Sequence, residues 1–147
     1  MNAGVGQRAP GIARAALGFL LLTALSIGLT ASFAPESFYD DYPFVAAWVS
    51  LLPPYNEHLV TDVGGLYLGF AVVLAWAAWT LQRDLVRAVS AGWALMALLH
   101  LIFHATHLDG FSTADAIAEI AALAFVLALP AFAAWGVGAR AQSGAHA

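Results

Sequence analysis

The sequence predicts an all-α protein, a four-helix transmembrane bundle, from its composition and from the length of its apolar stretches. The 147 residues are 62% hydrophobic and only 10% charged, whereas soluble domains are usually about 45–50% apolar and about 25% charged. Four stretches supply the roughly 20 apolar residues that a helix needs to cross a hydrocarbon core. Nothing between them alternates like a strand, and a bilayer admits only helices and closed barrels.

The predicted spans cover residues 11–34, 57–82, 85–107 and 113–138. They form a single integral membrane domain, residues 1–147, since this length suits one domain. The first span could instead be a secretory signal, because SFA before Pro35 loosely resembles a small-residue cleavage site. Its apolar run exceeds the typical length of about 7–15 residues for such a signal, so we expect a retained helix.

The arginines predict the orientation of the bundle. All five fall at one end of the spans, and the positive-inside rule makes that end cytoplasmic; they are Arg8, Arg14, Arg83, Arg87 and Arg140. Acidic residues occupy the opposite end, namely Glu36, Asp40, Asp41, Glu57, Asp109 and Asp115. Both termini are therefore expected inside the cell.

The loop of residues 35–56 is predicted to lie outside the cell, between the first and second spans. Its middle, FVAAWVSLL, is apolar but too short to span. The aromatic residues in and around it are typical of an interfacial segment lying over the outer mouth of the bundle; they are Phe38, Tyr39, Tyr42, Trp48 and Tyr55. The segment could act as a lid or as an anchor at the lipid headgroups.

Composition also excludes several functions. The chain has no lysine and no basic cluster, so it is not expected to bind nucleic acid. It has no cysteine, which excludes disulfides, thiolate metal sites, Fe–S clusters and covalently attached haem in this chain.

Three of the five histidines stand in HLIFHATHLDG, residues 100–110, at the end of the third span. His100, His104 and His107 share a helical stripe roughly 60° wide. His107 is interpreted as the helix exit. His100 lies about 10 Å deeper, where an unpartnered polar group is costly.

Two other spans carry polar residues at the same depth. His58 and Asp62 are four residues apart on one face of the second span. Asp62 also shares a stripe with Gly65 and Gly69, and this small-residue pattern predicts close helix approach, with Asp62 directed at a neighbouring helix. The candidate site therefore comprises residues from three helices: His58, Asp62, His100, His104 and Glu119.

The fourth span begins with Asp115 and Glu119, again four residues apart. Ser112 and Asp115 fit a capping box, so Asp115 is interpreted as structural. Glu119 lies inside the apolar run and has no such local explanation.

Histidine and carboxylate side chains are ligands for Zn, Fe or Cu, and His100 and His104 could both reach one ion from a single helix. Asp62 or Glu119 could complete the coordination. A proton relay or a quinone-type head-group site would use the same residues differently. A third interpretation is that the cluster only pairs helices in a structural or accessory subunit, which would contact other membrane subunits or a second copy. The sequence leaves open whether the protein is an enzyme.

The stretches SFAPESFY and PYNEHLVTDVGGLYLGFAVVL resemble the small four-helix bacterial membrane proteins described as DoxX-like, and an actinobacterial family of this shape. The resemblance implies four helices and a multi-pass protein of the bacterial inner membrane. Some DoxX relatives are associated with quinone-linked oxidation. The resemblance supplies no catalytic residue for this chain.

Overall fold

The computed structural model describes residues 9–52 and 54–138. Within them the chain forms helices and no strand: α1 (Pro10–Phe33), α2 (Pro35–Asp41), a 3₁₀ turn (Val49–Leu51), α3 (Glu57–Thr80), α4 (Arg83–Thr106) and α5 (Thr113–Gly136). The four long helices have 24 residues each and are apolar enough to cross a membrane. At about 1.5 Å per residue each is about 36 Å long. The predicted all-α four-helix bundle is confirmed, and the chain is a multi-pass membrane protein.

The helix boundaries follow local chemistry and lie within two residues of the predicted ones. Pro10 and Pro35 occupy the first turns of α1 and α2, where a missing N–H costs nothing. Asn56 Oδ1 caps α3 by accepting from the backbone N–H of Leu59 at 3.0 Å. Leu81 adopts a left-handed conformation, with φ 49°, and so ends α3 two residues before the predicted limit.

The four long helices are arranged as a ring. α1 packs against α3 and α5, α4 packs against α5 and α3, and the backbones of the diagonal pairs do not approach each other closely in the described part of the chain. Ala9 N donates to Gly136 O at 3.0 Å, and Arg83 Nε donates to Val137 O at 3.2 Å. These bonds tie the start of α1 and the α3–α4 turn to the end of α5.

The large apolar side chains of the core lie in the middle and in the arginine-side half of the bundle. The fully buried ones are Leu17, Leu20, Leu74, Val86, Trp93 and Val137. In the opposite half, which the predicted orientation makes the outer one, α1 and α3 meet instead through small residues, and α4 and α5 meet through a polar pair. The apolar core therefore thins towards the outer face.

Close approach of α1 and α3 depends on Gly64 and Gly28. A Cβ on Gly64 would lie 2.6 Å from the backbone N of Ser32, and one on Gly28 would lie 2.8 Å from Leu68 Cδ2. Gly65 and Gly69 have open space around them. The prediction that Gly65 and Gly69 mediate helix approach is therefore wrong, and the neighbouring Gly64 does so.

The outer segment, residues 35–52, lies across the end of the bundle opposite the arginines. α2 packs on α1 and α3, and the Tyr42 hydroxyl reaches Ser26 Oγ on α1 at 3.3 Å. Trp48 Nε1 donates to Asp115 Oδ1 on α5 at 3.2 Å. Phe44 and Val45 are exposed at the tip of the segment. The segment thus covers the bundle with some aromatic residues and presents apolar side chains outwards with others.

The outer end is also acidic around Tyr55. Partial desolvation, and then the carboxylates of Glu57, Glu36 and Asp40, raise the pKa of this hydroxyl above its usual value. The Tyr55 ring packs on that of Tyr39, with centroids 5.3 Å apart.

Candidate functional site

The candidate site is a buried pair formed by the last turn of α4 and the second turn of α5. His104 Nδ1 lies 2.6 Å from Glu119 Oε1, and the two side chains are only 9% and 4% exposed. Two ionisable side chains buried this deeply in an apolar helix pair are costly unless they compensate each other. Glu119 is predicted to have no role within its own helix, and the structure supports this because its contact is with His104 on the neighbouring helix.

The short loop between α4 and α5 determines how the two helices are aligned, and so which residue of α5 lies opposite His104. Gly110 turns the chain with φ 92°, which side chains other than glycine rarely adopt. Ser112 Oγ then caps α5 by accepting from Asp115 N at 3.2 Å, and it donates to Asp115 Oδ2 at 2.6 Å. The predicted capping role of Ser112 and Asp115 is confirmed. Because both helix ends are fixed, Glu119 faces His104 one turn below the cap.

The contact between His104 and Glu119 has the distance of a charge-assisted hydrogen bond but not its alignment, and Glu119 Oε2 has no hydrogen-bond partner in the described residues. A carboxylate beside Nδ1 favours a proton on that nitrogen, so Nε2 accepts a hydrogen bond when the imidazole is neutral and donates one when the imidazole is protonated. The pair can therefore hold a proton and present one imidazole nitrogen to a ligand.

His100 extends the site along α4. Its ring centroid lies 4.4 Å from that of His104, with the planes inclined at 50°. Unlike His104, His100 is exposed. His107 instead caps α4, and its ring stacks on that of Phe103 at 4.1 Å. The interpretation of His107 as the helix exit is confirmed.

His58 and Asp62 lie apart from the buried pair. His58 Nε2 is 3.3 Å from Asp62 Oδ2, and the side chains are 87% and 58% exposed. Residues two positions apart on a helix point in directions about 200° apart. Because Gly64 faces α1, Asp62 points away from α1. The prediction that Asp62 is directed at a neighbouring helix is wrong for the described chain. Two helices, rather than three, build the buried part of the site.

A metal site receives less support than the sequence predicts. In residues 9–52 and 54–138, no group of three His, Cys, Asp or Glu side chains is arranged to hold an ion. His100, His104 and Glu119 are neighbours but do not form such a group. Coordination by Asp62 or His58 stays a prediction that their position does not favour.

Trp48 is the contributor that the sequence did not single out. It belongs to the predicted aromatic segment, but its partner Asp115 is 67 residues away along the chain. No sequence signal links the two. Their bond places the outer segment one turn above Glu119.

Comparison with known proteins identifies the family. A family model described as a domain of unknown function, DUF4345, matches residues 12–114, which is most of the chain. The chain belongs to the DUF4345 family. The DUF4345 match runs from α1 to the start of α5, so it includes His100 and His104 and ends before Glu119. Comparisons with curated proteins and with solved structures give no significant match.

Proposed function

We propose that this DUF4345 protein binds a small hydrogen-bonding ligand at the His104–Glu119 pair, near the outer face of the membrane. The observation that carries the proposal is the buried contact between Nδ1 and Oε1, at 2.6 Å. A carboxylate that orients an imidazole is the arrangement that proteins use to exchange a proton or to strengthen a nitrogen ligand. His100, exposed beside it, supplies a second imidazole.

Of the two predicted ligand classes, a quinone-type head group fits the side chains of this site better than a metal does. Such a head needs one or two hydrogen bonds, which His104 and His100 can supply. Zinc in a protein usually takes at least three protein ligands, and the described residues do not bring three together. A divalent metal (Zn, Fe or Cu) would need further ligands from solvent or from a bound molecule.

The alternative is a structural or accessory membrane subunit in which the pair only fastens α4 to α5. The position of the pair favours this reading as well, because it joins the two helices where the apolar core thins. Other membrane subunits or a second copy would then be the partners, in addition to the lipid bilayer that the apolar helices contact.

To test ligand binding, the protein in lipid nanodiscs would be titrated with decylubiquinone, its reduced form and Zn²⁺. We expect a quinone-type probe to bind wild type and His107→Gln equally. His104→Gln should weaken binding about 10- to 100-fold, since a hydrogen bond to a charged group contributes about 1.5–3 kcal/mol. Saturable binding of Zn²⁺ alone, lost in the same variant, would favour the metal instead. Binding of no probe, or equal binding by His104→Gln, would overturn the proposal.

We also propose that residues 1–147 form one integral domain in a bacterial inner membrane, with both termini in the cytoplasm. The charge asymmetry supports this: Arg14, Arg83 and Arg87 lie at one end of the bundle, with Asp84 as the one acidic residue there, and the other eight acidic residues lie towards the opposite end. Arg8 and Arg140 lie outside the described residues. The likeness to DoxX-like proteins is compatible with this placement.

The orientation predicts the behaviour of reporter fusions. A reporter that is active only in the periplasm should be silent at the C-terminus and active when inserted after Val45, in the exposed tip of the outer segment. The reverse pattern would contradict the orientation.

A further inference from the structure

The outer halves of α3 and α4 share no polar or ring contact in the described part of the chain. The polar and ring contacts between the two helices lie near the middle of the membrane: Tyr67 and Phe70 pack on Trp93, with centroids 6.0 and 5.6 Å away, and the Tyr67 hydroxyl donates to Met96 Sδ at 3.4 Å. Outward of these residues, no hydrogen bond, ion pair or ring contact joins α3 to α4 in the described chain.

The exposure of His100 indicates that the space between these outer halves is open. At about 100° per residue, His100 lies within roughly 60° of Trp93, Ala97 and His104 on α4. Those three side chains are buried, at 1%, 7% and 7% exposure. His100 therefore faces the interior of the bundle and is nevertheless accessible.

The opening points to the side of the bundle because the outer segment covers the end. Tyr42 contacts α1, Trp48 contacts α5, and α2 packs on α1 and α3. The flanks of the α3–α4 opening carry exposed apolar side chains, Leu59 at 60% and Phe103 at 42%. A molecule dissolved among the lipids of the outer leaflet would meet this apolar rim before it meets His100.

We propose that the ligand of the His104–Glu119 pair is a bilayer-dissolved amphiphile that enters laterally between α3 and α4. Its polar head hydrogen-bonds first to His100 and then to His104, while its apolar part stays against Phe103 and Leu59. This inference rests on the proposed function and adds to it the class of ligand and its route.

The route can be measured without any ligand, because the chain has no cysteine and a single introduced cysteine labels one position. Spin labels would be placed by His100→Cys, by Leu98→Cys on the side of α4 turned away from α3 and α5, and by Asp109→Cys in the outer loop. We expect the label at 100 to be relaxed by lipid-soluble oxygen, as at 98. Relaxation by a water-soluble nickel chelate should be at least about tenfold weaker than at 109, because hydrocarbon excludes polar solutes. Phe103→Cys on the rim gives a second variant with the same expectation.

Access of the chelate to position 100, or exclusion of both reagents, would overturn lateral entry. The ligand class is tested by comparing decylubiquinone with the tail-less ring, ubiquinone-0. The decyl compound should bind at least about tenfold more tightly, since each buried methylene contributes about 0.8 kcal/mol. Equal binding from water would overturn the amphiphile while leaving the His104 site intact. Binding of neither compound would overturn the site and the inference together.

Discussion

Replacing His104 by leucine will lower the free energy of unfolding by about 3 kcal/mol, the lower end of the range for breaking a buried ion pair. The substitution leaves Glu119 buried at 4% exposure without its partner. Interhelical hydrogen bonds in membranes average only about 0.6 kcal/mol, but the loss expected here comes from an uncompensated buried carboxylate. Equilibrium unfolding in mixed micelles measures the change.

The double variant His104→Leu/Glu119→Leu should recover most of the lost stability, because replacing a whole buried pair with apolar side chains is often neutral. His58→Leu is the matched control and should change stability by less than about 0.5 kcal/mol, because this side chain is 87% exposed and an exposed i, i+4 pair contributes little. If the double variant is as unstable as the sum of the single variants, the two side chains are not coupled. Recovered stability with loss of decylubiquinone binding would separate the ligand site from a merely structural pair.

Gly64→Ala is expected to lower the free energy of unfolding by about 2 kcal/mol, within the range of about 1–3 kcal/mol for overpacking. The new Cβ would lie 2.6 Å from the backbone N of Ser32, which cannot move aside as a flexible side chain can. α1 and α3 must therefore separate. Thermal unfolding in detergent, followed by circular dichroism, measures the loss.

Gly65→Ala is the matched control, one position along the same helix. A Cβ there meets no atom within 4 Å, so we expect no loss, or a gain below about 1 kcal/mol from helix propensity. Equal destabilisation by the two substitutions would mean that Gly64 is not the contact point between α1 and α3.

The spans, and the need of Glu119 for a partner on another helix, could be predicted because they depend on the bilayer itself. Length and apolar content decide which segments cross, whatever they pack against. An ionisable residue inside the membrane demands a partner, and His104 is opposite Glu119 because a short loop joins their helices. His58 and Asp62 pair with each other within one helix. Neither of them therefore needs a partner on another helix, and they lie outside the buried site.

The packing face of α3 could not be predicted in the same way. A soluble helix reveals its buried side by the polar residues on the other side, but in a membrane both sides are apolar. Gly64, Gly65 and Gly69 are equivalent by composition, and only the shape of α1 at Gly28 and Ser32 selects Gly64. The bond between Trp48 and Asp115 was equally beyond sequence reasoning, since it depends on the path of an irregular segment.

The place of α5 in the ring has a consequence for biosynthesis. A ribosome delivers the chain from the N-terminus, so α5 enters the membrane after α1, α3 and α4. Until it does, His104 lacks its carboxylate, Trp48 has no acceptor on Asp115, and Ala9 cannot bond to Gly136. A nascent chain halted after α4 would thus expose to the surrounding lipid the His104 imidazole and the faces of α1 and α4 that pack against α5. Arrival of α5 completes all three contacts at once, so its insertion is the step that closes the four-helix ring.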